Sequence, residues 1–75
     1  MITDSQLKRI EKVWSEFARE DLKVQAYENG VYTLCSELAA LRLYYQYSKI
    51  SLIDDYECGE SDNLNSWYFS LKISL

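Results

Sequence analysis

The sequence predicts an α+β fold: a four-stranded antiparallel sheet with two helices packed on it, in the order αββαββ. Three observations predict this fold. Apolar residues recur at helical spacing near the start, an Asn-Gly pair separates two alternating segments, and strict alternation marks the end of the chain. We expect residues 1–75 to form one small domain, because a chain of 75 residues is too short to support two cores.

The first predicted helix begins after Thr3. This residue stands three positions before Gln6, which is the spacing of a capping box. Apolar side chains then follow at helical spacing, namely Leu7, Ile10, Val13, Trp14 and Phe17. The opposite side carries charges of both signs, so we expect it to be a solvated surface: Lys8, Arg9, Lys12, Glu16 and Arg19.

A β-hairpin is predicted next. The segments 22–27 and 31–35 alternate, and Asn29-Gly30 between them is a pair that a type I′ turn favours. With those two residues as the loop, the expected cross-strand pairs are Val24 with Cys35, Ala26 with Thr33, and Tyr27 with Tyr32. Cys35 would then face the core with Val24.

Residues 36–48 suit either a helix or a strand. Ser36 as an N-cap, Glu37 in the first turn and two alanines favour a helix from Glu37 to Tyr47, whereas later leucines and tyrosines alternate. We predict the helix. It would be apolar over most of its circumference, with Leu38, Leu41 and Tyr45 on one face and Leu43, Tyr44 and Tyr47 beside it. One sheet face cannot cover so much, so the first helix or a second subunit should pack on it.

The remaining residues predict a second hairpin. We expect a short strand over 50–56, a polar loop over 57–66 and a final strand over 67–75. In the final strand, alternation places one set of side chains inward, namely Trp67, Phe69, Leu71, Ile73 and Leu75. The other set should face water, namely Tyr68, Ser70, Lys72 and Ser74.

Negative charge is concentrated in the last third of the chain. The net charge is −4, and residues 1–50 carry seven acids and seven bases, which sum to zero. Residues 51–75 carry five acids and the single base Lys72. This asymmetry argues against direct binding of nucleic acid, because phosphates would be repelled, and it favours a basic protein partner.

Catalysis, metal binding and a cofactor are not expected. The chain has no histidine, the commonest general base and metal ligand. Cys58 is flanked by Glu57 and Glu60, which disfavour a reactive thiolate, and the acidic residues do not match a calcium-loop spacing. Two distant cysteines, no signal peptide and no membrane-length apolar run predict a cytoplasmic protein with reduced thiols and no membrane contact.

Two functional hypotheses follow. In the first, residues 54–63 form an exposed loop that docks on a basic protein surface, such as that of a nucleic-acid enzyme, as small acidic inhibitors, antidefence proteins and immunity proteins do. The expected contact residues are Asp54, Asp55, Tyr56, Glu57, Glu60 and Asp62, with Tyr56 supplying apolar area. In the second, the chain is a homo-oligomeric structural or assembly subunit that associates through its aromatic helix and its final strand. A loop that only aids solubility is the simpler alternative to the first.

Overall fold

The computed structural model describes residues 2–50, 55–62 and 66–73. Its helices and strands follow one another as α1 (Asp4–Ala18), β1 (Val24–Tyr27), β2 (Gly30–Cys35), α2 (Glu37–Ser48), β3 (Tyr56–Glu60) and β4 (Trp67–Lys72). The four strands form one antiparallel sheet in the order β1-β2-β4-β3. The predicted α+β fold is therefore confirmed, and β4 lies between β2 and β3.

Helix α1 begins as the sequence predicts. The Thr3 hydroxyl accepts a hydrogen bond from the Gln6 N–H at 3.2 Å, and the Gln6 side chain accepts one from the Thr3 N–H at 2.9 Å. This capping box satisfies two backbone donors that would otherwise lack partners. Trp14 is fully buried and Phe17 packs against the core, whereas Val13 is 41 % exposed and lies outside the buried stripe. The expected charged side of α1 is exposed.

The first hairpin forms, but its predicted turn is wrong. Tyr27 pairs with Gly30 and Val24 pairs with Thr33, so Glu28 and Asn29 form the loop. Gly30 has no positive φ and lies within β2, where an added Cβ would overlap the backbone carbonyl oxygen of Leu71. The glycine is therefore needed for the close approach of β4 and not for a type I′ turn. Because the register shifts by two residues, every side chain keeps its predicted face.

Helix α2 confirms the helical alternative for residues 36–48. The Ser36 hydroxyl accepts a hydrogen bond from the Ala39 N–H at 3.1 Å, and the helix runs to Ser48. Its buried side chains are Ala39, Ala40, Leu43 and Tyr47. Two small alanines at the interface let the helix approach its neighbours closely, and the larger apolar side chains at Leu38, Leu41 and Tyr45 are left outside.

The second hairpin differs from the prediction in its first strand. Residues 57–60, expected in a polar loop, belong to β3, while the strand expected over 50–56 falls largely on residues 51–54, which lie outside the described residues. In β4 the predicted alternation holds for Phe69, which is fully buried, and for Lys72, which is exposed on the other face. Trp67 is half-buried and does not join the core cluster, and residues 74–75 of the predicted strand lie outside the described residues. Tyr56 and Cys58 face inward from β3, an alternation that the surrounding acids obscure in the sequence.

The core lies between the sheet and the two helices and is rich in aromatic rings. The Trp14 indole N–H donates a hydrogen bond to the Tyr47 hydroxyl at 2.8 Å, so both of these buried polar groups have a partner. The Tyr47 and Phe69 rings stack with centroids 5.4 Å apart, and Trp14 meets Phe69 edge-on at 5.0 Å. This core covers one face of the sheet, and among the described residues the opposite face has no helix packed on it.

Candidate protein-binding surface

The acidic residues of the 55–62 segment are carried by a sheet strand and its flanks. Asp55, Glu57, Glu60 and Asp62 are exposed, and Asp54 lies outside the described residues. Backbone hydrogen bonds hold both ends of the segment against β4: the Lys72 N–H donates to the Asp55 carbonyl at 2.8 Å, and the Ser61 N–H donates to the Ser66 carbonyl at 2.9 Å. Backbone pairing therefore fixes the segment that carries these carboxylates. Most of the expected exposed loop is an edge strand of the sheet.

Tyr56 does not take the exposed position expected of it. Its side chain is half-buried and packs against the core, with its ring centroid 4.9 Å from that of Tyr44 and 6.2 Å from that of Tyr47. Strand alternation explains this, because Tyr56 and Glu57 must point to opposite faces of β3. The exposed position expected for Tyr56 is therefore not observed, and its contact with a partner stays a prediction.

Other aromatic residues lie beside the acids, on the face of the sheet that points away from the helices. We call this face the outer sheet face and define it by Tyr27, Tyr32, Leu34, Glu57, Tyr68, Ser70 and Lys72. Tyr27 is 38 % exposed and Leu34 is 42 % exposed. The Tyr27 and Tyr32 rings contact each other with centroids 5.9 Å apart. The sheet thus presents rigid aromatic area to its surroundings.

Pairing across the sheet brings Glu57 into this aromatic surface. Tyr32 is opposite Ser70, and Ser70 is opposite Glu57, so the three side chains lie in one row. The Tyr68 hydroxyl donates a hydrogen bond to the Glu57 carboxylate at 3.3 Å. Partial burial, followed by the adjacent Glu57 carboxylate, raises the pKa of Tyr68. The phenol therefore keeps its proton to a higher pH than an ordinary tyrosine does and remains a donor to Glu57.

The outer sheet face and the acidic segment meet in one shallow groove. Tyr32, Leu34 and Tyr68 line it together with the acidic residues Glu57, Glu60 and Asp62, of which Glu57 belongs to the outer sheet face. Lys72, the single base among residues 51–75, lines a neighbouring depression with Asp55. The groove thus combines apolar rings with charge of one sign, which is the arrangement that a basic protein surface complements.

The two cysteines are placed for packing. Cys35 and Cys58 are free thiols on strands that flank β4, and both pack against the core. Two strand spacings amount to about 10 Å, beyond the Cα separation that a disulfide allows, so the thiols cannot pair without moving the sheet. Burial, then the charges of Glu20 and Cys58, raises the pKa of Cys35 to about 11. Neither thiol has the low pKa of a nucleophile.

The described part of the chain holds neither a metal-binding cluster nor a membrane-length helix. No three His, Cys, Asp or Glu side chains within residues 2–50, 55–62 and 66–73 converge to hold a metal ion. Neither helix of those ranges has the length and apolarity that crossing a membrane requires.

The sequence analysis did not include the tyrosines in the candidate surface, although alternation places Tyr27, Tyr32 and Tyr68 on an outward face. The sequence did not show that the acidic residues 57–60 form a strand that pairs with β4. Only when Glu57 is assigned to a strand does it become the neighbour of Ser70 and Tyr68. The signal that could have indicated this strand is the inward alternation of Tyr56 and Cys58.

Comparison of the chain with protein-family models, with curated proteins and with solved structures finds no match.

Proposed function

We propose that this protein is a small non-enzymatic binding protein whose outer sheet face and adjoining acidic segment dock on a basic protein surface. The observation that carries the proposal is the position of Glu57. Its carboxylate lies in a row with Tyr32 and accepts a hydrogen bond from Tyr68, so charge and aromatic area are joined on one rigid surface.

The carboxylates supply long-range attraction. Asp55, Glu57, Glu60 and Asp62 are exposed on one segment, and Lys72 is the single base that follows them in sequence. A surface potential of one sign raises the rate of association with an oppositely charged partner, and salt weakens that effect. Charge therefore accounts for the approach of the partner and for its orientation.

The tyrosines supply the short-range contact. Tyr and Leu side chains that are half-exposed on a sheet lose little conformational freedom on binding and bury substantial apolar area. Tyr32, Leu34 and Tyr68 line the same groove as the acids. We infer that these three residues contribute more to affinity than any of the exposed carboxylates does.

A Lys/Arg-lined surface of a nucleic-acid enzyme fits this chemistry. Such a surface is built to receive phosphates, and a row of carboxylates presents the same charge to it. The negative charge on the groove also disfavours direct binding of nucleic acid to this chain. An inhibitor of the antidefence or immunity type is the class of function that we propose.

The test compares partner capture by the wild-type protein with capture by variants of the outer sheet face. We expect Tyr68→Ala to weaken binding of the captured partner by about 30-fold, as loss of a hot-spot residue does. Glu57→Gln should mainly slow association and flatten its salt dependence. Glu16→Gln, which makes the same chemical change at an exposed position of α1, is the matched control and should bind normally. Equal binding by all four proteins would refute the assignment of the site.

A further inference from the structure

Helix α2 carries an exposed apolar stripe that the core does not use. Leu38, Leu41 and Tyr45 recur at intervals of three and four residues and are 54 %, 46 % and 60 % exposed. We call these three residues the α2 stripe. Such spacing places the side chains on one side of a helix, and an outward side is normally polar. On α1, by contrast, the outward side carries Lys8, Lys12 and other charged residues.

The two ends of the α2 stripe carry opposite charges. Glu37 occupies the first turn of the helix, and Lys49 is its C-cap. The Lys49 ammonium lies 4.2 Å from the centroid of the Tyr45 ring, so this charge sits beside the stripe. Arg42 is directed toward α1, where its guanidinium donates a hydrogen bond to the Ala18 carbonyl at 2.9 Å. The stripe is therefore an apolar surface with an acid at one end and a base at the other.

We propose that the α2 stripe is covered by the same stripe of a second copy of this chain, in a two-fold dimer with the helices antiparallel. A two-fold axis near Leu41 would bring Leu38 of each copy against Tyr45 of the other. The acid and the base are twelve residues apart, about 18 Å along the helix. Reversing one helix therefore brings Glu37 of each copy within about one turn of Lys49 of the other.

The charge pattern favours a second copy over a different partner. A surface with an acid at one end and a base at the other is complementary to itself when one copy is reversed, and the Glu37–Lys49 ion pair then forms twice by symmetry. The chain's net negative charge does not oppose this contact, because residues 37–49 carry one acid and two bases. Glu57 of the outer sheet face and the other exposed acids of the 55–62 segment lie on β3 and its flanks.

Sedimentation of the wild-type protein and two variants tests the interface. We expect the wild type to dimerise and Leu41→Glu to weaken the dimer by about 100-fold or more, because two charges would be buried near the axis. Val13→Glu makes a similar apolar-to-acid change on α1, where the side chain is 41 % exposed, and should leave the dimer intact. Circular dichroism of each variant verifies that α2 has folded.

A charge exchange tests the antiparallel arrangement without introducing a buried charge. Glu37→Lys alone and Lys49→Glu alone should each weaken the homodimer, by about 2- to 5-fold for each ion pair lost. A mixture of the two single variants should restore association, since each Lys would then face a Glu. In a parallel dimer the single variants would not weaken association, because like charges already face each other.

A wild-type protein that stays monomeric up to millimolar concentration would overturn the proposal. Equal dimerisation of Leu41→Glu and the wild type would overturn it as well, since the contact would then lie elsewhere. The test uses the purified chain alone, so its result is independent of whether the outer sheet face binds a basic protein.

Discussion

Phe69 and Tyr68 are neighbours in β4 and have opposite surroundings. Phe69 points toward the helices, where it is fully buried and contacts the Trp14 and Tyr47 rings. Tyr68 points away from them, packs across Gly59 and donates a hydrogen bond to Glu57. Both faces of the sheet are thus aromatic, but of the two only the inner face is covered by the helices within residues 2–50, 55–62 and 66–73. Aromatic content therefore does not identify the core. The two faces differ in that Tyr68 lies beside the Glu57 carboxylate, whereas Phe69 lies among other rings.

The largest effect expected from this comparison is the truncation of Phe69. We expect Phe69→Ala to lower the free energy of unfolding by about 3 to 5 kcal/mol, because it leaves a cavity under Trp14 and Tyr47. Tyr68→Ala, one residue away on the outer sheet face, should lower it by no more than about 1 kcal/mol. Denaturant unfolding of both variants measures the two values. Similar losses would mean that the two faces contribute alike to stability.

The two glycines provide a second comparison, with a smaller effect. Gly30→Ala should destabilise the protein by about 1 to 3 kcal/mol, since its Cβ would overlap the Leu71 carbonyl and force β4 away from β2. At Gly59 an added Cβ would lie 3.4 Å from the Tyr68 ring, an ordinary contact. Gly59→Ala should therefore be close to neutral. Thermal unfolding of both variants measures the two losses of stability. A greater loss for Gly59→Ala than for Gly30→Ala would contradict the close approach of β4 at Gly30.

The smallest expected effect concerns the pH dependence contributed by Cys35 on the inner face. Its pKa is raised from 9.0 to about 11, so the folded state favours the protonated thiol. The resulting stabilisation is fully present below pH 9 and is lost as the pH rises toward 11. The unfolding temperature should therefore fall more steeply between pH 9 and pH 11 for the wild type than for Cys35→Ala. Parallel curves would show that the thiol is not held in its protonated form.

Local sequence signals predicted the parts of the fold that depend on near neighbours. The capping box of Thr3 and Gln6 and the N-cap at Ser36 place the starts of both helices, since each cap satisfies backbone donors within one turn. Alternation placed Phe69 and Lys72 on opposite faces of β4 because successive side chains in a strand must diverge. These assignments need no knowledge of the rest of the chain.

Signals with two possible causes were misassigned. Gly30 follows Asn29 as in a type I′ turn, yet the glycine serves the approach of β4, which lies 41 residues further along the chain at Leu71. Residues 57–60 are rich in acids, as a loop would be, yet pairing with β4 makes them a strand. In each instance the deciding contact comes from β4, which only the tertiary structure brings alongside.

The sequence by itself determined the order of elements, the inward side of β4 and the concentration of negative charge in the last third, because each follows from the periodicity or composition of a continuous segment. The tertiary structure decided which aromatic rings share a surface with that charge. Tyr56 turned inward, Tyr68 became the neighbour of Glu57, and Tyr32 fell in the same row as Glu57 with Ser70 between them. It also left Leu38, Leu41 and Tyr45 outside the core, since α2 packs through its alanines, Leu43 and Tyr47. The physical reason is that a side chain's exposure depends on which distant strand or helix lies over it.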